Sequence, residues 1–252
     1  MCLVVFAWQA HPEYRLILAG NRDEAHHRPT QDAHWWPDNE SILAGRDLQA
    51  GGTWLAVGKT GRFATVTNFR EGQTGRAGRK SRGALVTEFV ANSESAEVYE
   101  SAVANDEYAG FSLLISDGET MSYLSNCDDL EAKLDPGIYG LSNASLDTPW
   151  PKVVRARSGL ESLIDSDGIN ETELMRLLAD RTTASVDDVQ AGDLPFEIAR
   201  ALTAPFIVAP DYGTRSSSTV LWGKDGVIEF CERRFDPSGK TTGESRFRFQ
   251  VE

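Results

Sequence analysis

Residues 1–8 read MCLVVFAW, and this stretch predicts both the first strand of the fold and a candidate nucleophile. Leu3–Trp8 is a short apolar run, typical of a buried strand. If the initiator Met1 is removed, Cys2 becomes the first residue and carries a thiol and a free α-amine together. The alternative is that Cys2 only packs beside the strand, as a small apolar side chain does.

Further strands follow along the chain. Residues 14–20 (YRLILAG) form a second apolar run, separated from the first by a short connection. Residues 53–57 and 62–68 are also typical of strands, and the intervening GKTG is typical of a tight turn.

Two stretches predict β-hairpins. FSLLISDGETMSYLS places Asp117 and Gly118 between two apolar runs, and TVLWGKDGVIEFCERRF does the same with Asp225 and Gly226. Asp-Gly between alternating apolar runs is a strong hairpin signal, because both turn positions favour residues that tolerate positive φ.

Helical patterns occur in two blocks between the strand groups. The first block has a helix capped by Ser81 and a second across residues 94–103. The second block has a helix across residues 152–164 and another that begins at Asn170, where Glu173 completes a capping-box-like start.

Antiparallel hairpins with segregated helices indicate the α+β class rather than alternating βαβ units. We expect a four-layer αββα sandwich, in which two mainly antiparallel sheets are each covered by a helix layer. No stretch resembles an interdomain linker, so residues 1–252 are predicted to form a single domain. Residues 180–195 are the least regular part and are predicted to be a loop within it.

Composition narrows the class of partner and the location. The formal net charge of −13 disfavours binding to nucleic acid or to anionic membrane surfaces. The apolar run near the start is far shorter than the roughly 20 residues that cross a bilayer, so no membrane insertion is expected. The three cysteines are far apart in sequence, which favours a reducing compartment, and we expect a cytoplasmic protein.

The four histidines do not predict a metal site. Three of them lie within nine residues, His26, His27 and His34, but no recognised metal or haem ligand spacing accompanies them. We therefore predict no bound metal and no cofactor, and find little support for a Ser–His–Asp triad.

Residues 69–83 (FREGQTGRAGRKSRG) are basic in a chain that is otherwise acidic. They could form an ordinary solvated loop. The functional alternative is a flexible lid that binds a substrate phosphate or carboxylate, because arginine recognises both groups well. Its candidate substrate-binding residues are Arg76, Arg79, Lys80 and Arg82.

The chemistry of an N-terminal cysteine requires no histidine. A free thiol has a pKa of about 8.5 and is mostly protonated at neutral pH. A terminal α-amine has a pKa of about 7.7–8.0 and can accept the thiol proton. If the first two strands are antiparallel neighbours, the NRDE stretch that follows the second strand lies near Cys2. This stretch is otherwise typical of a polar turn.

The chain resembles the NRDE-motif proteins, the transport and Golgi organisation 2 family, from residue 1 to about residue 235. The resemblance is carried, in order, by MCLVVFAW, YRLILAGNRDE, HRPT, GGTWLAV, TVTNF, RGALV, GIYGLSNASLDTPWPKV and YGTRSSSTVLW. It implies an N-terminal-nucleophile (Ntn) hydrolase fold, similar to that of choloylglycine hydrolases and penicillin V acylases, with Cys2 as nucleophile.

The resemblance also implies roles for other residues. Arg22 and Asp23 match the Arg and Asp of the acylases, although those enzymes read R-N-x-D and this chain reads Asn-Arg-Asp-Glu. Whether Asp23 or Glu24 contacts the amine is therefore left open, and Asn21 and Glu24 are candidate substrate-binding residues. Asn68 and Asn143 match positions that form the oxyanion hole and hold the amine. Arg215 matches a remote supporting arginine.

Together these features predict an N-terminal-cysteine hydrolase or acyltransferase. Its partner would be a small-molecule acyl substrate with a linear amide or a thioester, such as an acyl-amide or an acyl-coenzyme A. The alternative is a non-catalytic protein on the same fold that binds or carries haem or an acyl lipid through His26, His27 or the basic residues 76–82. The sequence makes no prediction of oligomeric state.

Overall fold

A computed structural model describes residues 2–70, 78–128, 131–189, 192 and 194–252. Within these residues the strands are β1 (Leu3–Trp8), β2 (Tyr14–Ala25), β3 (Thr30–Trp36), β4 (Asn39–Asp47), β5 (Leu55–Gly58), β6 (Phe63–Asn68), β7 (Phe111–Ser116), β8 (Met121–Ser125), β9 (Glu131–Lys133), β10 (Gly137–Leu141), β11 (Tyr212–Gly223), β12 (Val227–Phe235) and β13 (Thr241–Gln250). The α-helices are α1 (Arg82–Ala91), α2 (Ala96–Ala102), α3 (Pro151–Asp165), α4 (Glu171–Leu178) and α5 (Phe196–Ala201).

The strands form two antiparallel sheets. The first sheet has the order β10-β1-β2-β11-β12-β13, and the second has the order β3-β4-β5-β6-β7-β8-β9. Both predicted hairpins are confirmed, as β7–β8 and β11–β12. Their turn glycines have positive φ, +98° at Gly118 and +84° at Gly226, a conformation that costs glycine little.

Strand β1 is buried on both faces, which explains its uninterrupted apolar sequence. Val4, Phe6 and Trp8 face the second sheet and join the core between the sheets. Leu3, Val5 and Ala7 alternate with them and pack under α3 and α4. No residue of β1 is more than 2% exposed, and successive side chains point to opposite buried faces. Charged residues therefore have no place within β1 and occur only beyond its ends.

Helices cover the outer face of each sheet. Leu85 and Phe89 of α1 are buried against the second sheet, and Val153 and Leu160 of α3 against the first. The layers are therefore helix, sheet, sheet and helix, and the predicted αββα sandwich of the α+β class is confirmed. No helix in the described part of the chain is long and apolar enough to cross a bilayer.

The NRDE stretch differs from the prediction. It was expected to follow the second strand, but β2 continues through it to Ala25. The physical reason is strand pairing: Asp23 lies opposite Thr214 of β11, and Arg22 lies opposite Ser216. Neighbouring polar residues on β11 accommodate the polar end of β2, so the ladder extends past the apolar run.

Candidate active site at the start of strand β1

Cys2 lies immediately before β1, between β2 and the segment that follows β10. Leu3 pairs with Asn21 of β2, and Val4 pairs with Leu141 of β10. Because antiparallel pairing advances in opposite directions, these registers continue to Arg22 and Asn143 beside Cys2. The sequence stretches at residues 2, 21–24 and 142–143 are thus adjacent in the fold.

A cavity of about 500 Å³ opens at this point between the two sheets. Cys2, Arg22 and Asn68 all line it. Six cationic side chains face it, although the chain as a whole has a charge of −13: Arg22, Arg28, Arg46, Arg79, Lys80 and Arg82. Four carboxylates also line it: Asp23, Glu24, Asp47 and Glu232.

The carbonyl of Cys2 is held by two side chains. Ser142 donates a hydrogen bond from Oγ to this oxygen at 2.7 Å, and Lys152 donates from Nζ at 3.4 Å. Lys152 belongs to the first turn of α3 and is 1% exposed. Its Nζ also lies 3.9 Å from Asp23 Oδ2, so one buried ammonium contacts both the Cys2 carbonyl and the Asp23 carboxylate.

Asp23 is buried on the helix-covered side of β2. Its Oδ1 accepts a hydrogen bond from Thr214 Oγ1 at 2.7 Å. Burial raises the pKa of this carboxyl, while Lys152, the Thr214 hydroxyl and Arg22 act in the opposite direction. The ionised form of Asp23 is therefore favoured only by the cationic and hydrogen-bonding groups around it.

Glu24 has different surroundings. Its Oε2 lies 3.7 Å from Arg22 Nη2 and 3.9 Å from Arg28 Nε. Its Oε1 accepts a hydrogen bond from the backbone of Ala25 at 2.9 Å. Of the two acids, the structure places Asp23 with the Lys152 ammonium that also holds Cys2, and Glu24 with the arginines of the cavity wall.

The Cys2 thiol is not intrinsically activated by this environment. Burial raises its pKa, and the nearby Asp23 carboxylate raises it further. The backbone N–H of Asp23 and the Arg22 guanidinium lower it, but burial is the largest influence. The thiol is therefore protonated at neutral pH and needs a base to become a nucleophile.

Asn143 connects the two sheets beside Cys2. Its Nδ2 donates a hydrogen bond to the backbone carbonyl of Asn68 at 2.7 Å, and its Oδ1 accepts from Ser142 Oγ at 3.2 Å. The backbone carbonyl of Asn143 accepts from Arg70 N–H at 2.8 Å. The segments that carry both predicted asparagines are thereby held together beside Cys2, and of the two it is Asn68 that lines the cavity.

Two predicted site residues point away from the cavity. The Asn21 carboxamide is buried behind β2, where it donates to the carbonyls of Leu178 at 2.9 Å and Pro205 at 2.8 Å. The Arg215 guanidinium donates to carbonyls at the end of β2 and in the connection to β3, those of Ala25 and His26 at 3.0 Å and of Arg28 at 3.2 Å. Both side chains support the strands around the site rather than its wall.

The basic segment reaches the cavity in part. Arg79, Lys80 and Arg82 line it, while Arg76 lies outside the described residues. Lys80 Nζ is 2.5 Å from Glu107 Oε2, and Arg82 Nη1 donates to the Gly110 carbonyl at 3.0 Å. These contacts anchor the end of the basic segment against residues 107–110.

The histidines lie elsewhere. His26 Nε2 is 3.0 Å from the Ala209 carbonyl, and His27 is exposed on the connection between β2 and β3. Across the described residues, no group of three His, Cys, Asp or Glu side chains is arranged to hold a metal ion.

Sequence reasoning missed Lys152 and Glu232. Lys152 precedes Ala156 and Leu160 by four and eight residues, which puts it on the apolar stripe of α3. A lysine within such a stripe is a signal for a buried partner, and it was available in the sequence. Glu232 is a buried carboxylate on β12 with no comparable local signal.

Comparisons with known proteins agree with this architecture. Two solved structures share the fold: the mutant C2A conjugated bile acid hydrolase from Clostridium perfringens and an N-acylethanolamine-hydrolyzing acid amidase ortholog from Caenorhabditis elegans. The first is 10% identical with a TM-score of 0.54, covering 98% of this chain and 92% of that one. The second is 8% identical with a TM-score of 0.50, covering 87% and 92%. At these identities the likeness shows an Ntn-hydrolase fold and nothing more.

Relatives of known family are more similar in sequence. The transport and Golgi organization protein 2 homolog of Bos taurus is 34% identical over 279 residues, covering 99% of this chain and all of the relative. The Homo sapiens homolog is 33% identical over 256 residues, covering 92% of each. The family model described as "Transport and Golgi organisation 2" matches residues 1–237. The chain therefore belongs to the transport and Golgi organisation 2 family.

Proposed function

We propose that this chain is an N-terminal-cysteine hydrolase or acyltransferase that acts on a linear amide or a thioester. The observation that carries the proposal is the position of Cys2, which lies in a 500 Å³ cavity between the NRDE end of β2 and Asn143. Support also comes from the two structural neighbours, whose names describe a bile acid hydrolase and an acid amidase.

In the proposed reaction, removal of Met1 first leaves the α-amine on Cys2. The neutral amine accepts the thiol proton, directly or through a water molecule, and the thiolate attacks the substrate carbonyl carbon. The bond between that carbon and the leaving nitrogen or sulfur then breaks, and the ammonium returns its proton to the leaving group. An acyl-cysteine remains, and water or another acceptor takes the acyl group and regenerates the thiol.

Two asparagines are candidates to stabilise the negative oxygen of the intermediate. A carboxamide has two N–H donors, and the bond from Asn143 to the Asn68 carbonyl uses one of them. The Asn68 side chain lies at the end of β6 and lines the cavity. A well-placed donor of this kind contributes about 3–4 kcal/mol to the transition state.

The charge of the cavity favours an anionic substrate. Six cationic side chains and four carboxylates line the cavity. Two of the cations also pair with acids outside the lining, Arg46 with Asp38 and Lys80 with Glu107, so the local charge is far less negative than that of the whole chain. Arginine binds phosphate and carboxylate groups through paired hydrogen bonds. An acyl-coenzyme A, with its phosphates, fits this lining better than an uncharged acyl-amide does.

The proposal is tested by trapping the acyl-enzyme. The mature protein is incubated with acyl-thioester and acyl-amide probes, and intact mass and peptide mapping then locate any added acyl group. We expect loss of Met1 in the wild type and acylation at Cys2. Cys2→Ala should abolish acylation and turnover, whereas Cys127→Ala, the matched control, should retain both. Full turnover by Cys2→Ala would refute the proposal, as would retention of Met1 in active protein.

The carrier alternative requires a separate ligand-binding test. His26 hydrogen-bonds to Ala209, and neither it nor His27 lines the cavity, so no geometric observation favours haem ligation at these residues. Haem binding remains a prediction that titration checks through the Soret band, in wild type and in His26→Ala. Stoichiometric binding of an acyl-coenzyme A without acylation of Cys2 would favour a carrier over an enzyme.

A further inference from the structure

A buried lysine contacts the proposed nucleophile from behind the first sheet. Lys152 Nζ lies 3.4 Å from the Cys2 carbonyl oxygen and 3.9 Å from Asp23 Oδ2, and the side chain is 1% exposed. Burial of an ammonium group is costly unless it is paired and hydrogen-bonded. Burying the Lys152 ammonium costs folding free energy. A buried lysine at this position therefore indicates a role beyond packing.

The first consequence is geometric. Ser142 and Lys152 both donate to the Cys2 carbonyl, at 2.7 Å and 3.4 Å, and so fix the Cα–C bond of that residue. The α-amine and the thiol of a mature Cys2 both branch from this Cα. Fixing the carbonyl therefore limits the directions that the amine and sulfur can take to rotation about the Cα–C bond, and for the sulfur also about χ1.

The second consequence is electrostatic. The charged or titratable groups around Cys2 are the terminal ammonium of the chain, Arg22 and Asp23 of β2, and Lys152 of α3. The segment after β10 contributes the Ser142 hydroxyl and the Asn143 carboxamide, which do not titrate in this range. An Asp23 carboxylate without a second cation would hold the amine as ammonium, a form that cannot accept a proton.

Lys152 supplies that second cation. Burial lowers the pKa of Lys152 below its usual value, and the Asp23 carboxylate, which favours the ammonium, offsets part of this. The same attraction favours the ionised form of Asp23. Lys152 and Asp23 thus stabilise each other's charged forms. Together they present a net charge close to zero to the Cys2 α-amine.

We propose that Lys152 is a positioning residue, which fixes the Cys2 carbonyl and offsets the charge of Asp23 so that the α-amine of the mature chain can accept the thiol proton. This inference rests on the proposed N-terminal-cysteine activity. It assigns Lys152 no contact with the substrate or with the reacting atoms.

The test uses the pH dependence of Cys2 modification, which requires no knowledge of the substrate. A cyanobenzothiazole reagent, which condenses with a free 1,2-aminothiol, verifies that Cys2 is N-terminal. The rate of Cys2 alkylation by iodoacetamide is then measured by mass spectrometry from pH 5 to pH 10. The variants are Lys152→Met, which keeps the length without the charge, Lys152→Arg, which keeps the charge, and Lys224→Met as an exposed control.

We expect Lys152→Met to raise the midpoint of the alkylation profile by about one pH unit, because it removes a buried cation that contacts the Cys2 carbonyl and the Asp23 carboxylate, and loss of a nearby cation disfavours the thiolate. At pH 7 this corresponds to a rate about tenfold lower. Lys152→Arg should recover most of the shift, and Lys224→Met should match the wild type. A folded Lys152→Met protein with the wild-type midpoint would overturn the role of Lys152.

A wild-type measurement covers the case in which Lys152→Met does not fold. With ¹³C-labelled lysine, the Lys152 ε-carbon resonance should move as the Cys2 amine titrates, because the two charges share Asp23. An unchanged resonance through that titration would overturn the proposal. Failure of the proposed enzyme activity is recognised separately, because Cys2 in the wild type would then take no acyl group from any probe.

Discussion

Cys231 illustrates how burial controls a single side chain in this protein. It lies on β12 under the helix layer, and burial, reinforced by Glu171, raises the pKa of its thiol to about 12. Burial also raises the pKa of Cys2, but there the backbone N–H of Asp23 and the Arg22 guanidinium act against it. The same functional group is therefore suppressed by burial at both positions, with cationic and hydrogen-bonding relief beside the cavity at Cys2.

This contrast gives a prediction at the residue scale. At pH 8 a thiol with a pKa of about 12 is roughly one part in ten thousand thiolate, whereas an ordinary free thiol is about one-quarter thiolate. We expect iodoacetamide to alkylate Cys231 at least about a thousandfold more slowly in the native protein than in urea. Peptide mass spectrometry over time measures both rates, and native labelling within tenfold of the unfolded rate would contradict the prediction.

At the scale of the secondary-structure element, β2 and β11 create the environment of the site through an irregular pairing. Asp23 pairs with Thr214 and Arg22 with Ser216, so Arg215 is the extra residue of a β-bulge. A bulge changes the direction of the side chain at that position. Here it aims the Arg215 guanidinium at the carbonyls of residues 25, 26 and 28, and so fixes the connection that follows the NRDE residues.

Arg215→Gln should therefore destabilise the protein by about 1–3 kcal/mol, the cost of removing charged hydrogen bonds from partly buried carbonyls. Amide exchange in residues 25–30 should accelerate more than exchange in β1. Arg248→Gln is the matched control, because Arg248 pairs with Glu229 on the surface and its side chain is 69% exposed. It should change stability by less than about 1 kcal/mol. Urea unfolding compares the two, and equal effects would argue against a special role for Arg215.

The elements also show which parts of the fold were predictable. Local patterns correctly indicated β1, both Asp-Gly hairpins and the start of α4, where Asn170 Oδ1 accepts the Glu173 N–H at 3.0 Å. They failed at the NRDE residues, which were expected to follow the second strand and instead belong to it. The deciding partner, residues 213–217 of β11, lies about 190 positions away in the sequence. Pairing at that distance has no local signal, and neither do the bulge and the orientation of Arg215.

At the scale of the whole molecule, the candidate site exists only because the two sheets face each other. β1 and β2 supply Cys2's neighbours from the first sheet, and β6 supplies Asn68 from the second. Cys2, Arg22 and Asn68, which were expected near strand ends, all line the same cavity, and their roles there stay predictions. Strand faces could not be assigned without the register, so Asn21 was expected at a cavity from which its side chain points away.

Glu232 joins the two sheets at the side of this cavity, and its titration gives a prediction for the molecule as a whole. Its Oε1 accepts a hydrogen bond from the backbone of Ala33 in the second sheet at 2.9 Å. Burial raises the pKa of this carboxyl, against the lowering effects of the Ala33 N–H and Arg234. The folded protein therefore binds this proton more tightly than the unfolded chain. The contribution of Glu232 to the free energy of unfolding is therefore greatest below about pH 4.5. This contribution is lost as the pH rises through the pKa of Glu232 in the folded protein.

Glu232→Gln keeps an oxygen acceptor for Ala33 but removes the titration. We expect the unfolding free energy of the variant, relative to wild type, to rise between pH 4.5 and pH 7.5, by about 1.4 kcal/mol for each unit of raised pKa. Any fixed cost of burying the new amide is independent of pH and does not affect this slope. Glu229→Gln on the same strand, at an exposed surface pair, should change stability by less than about 1 kcal/mol at every pH. Urea unfolding at five pH values measures both variants. If the difference in unfolding free energy between Glu232→Gln and wild type stays constant across this pH range, the pKa of Glu232 is the same in the folded and unfolded states. The contact between the two sheets at Glu232 would then not depend on pH.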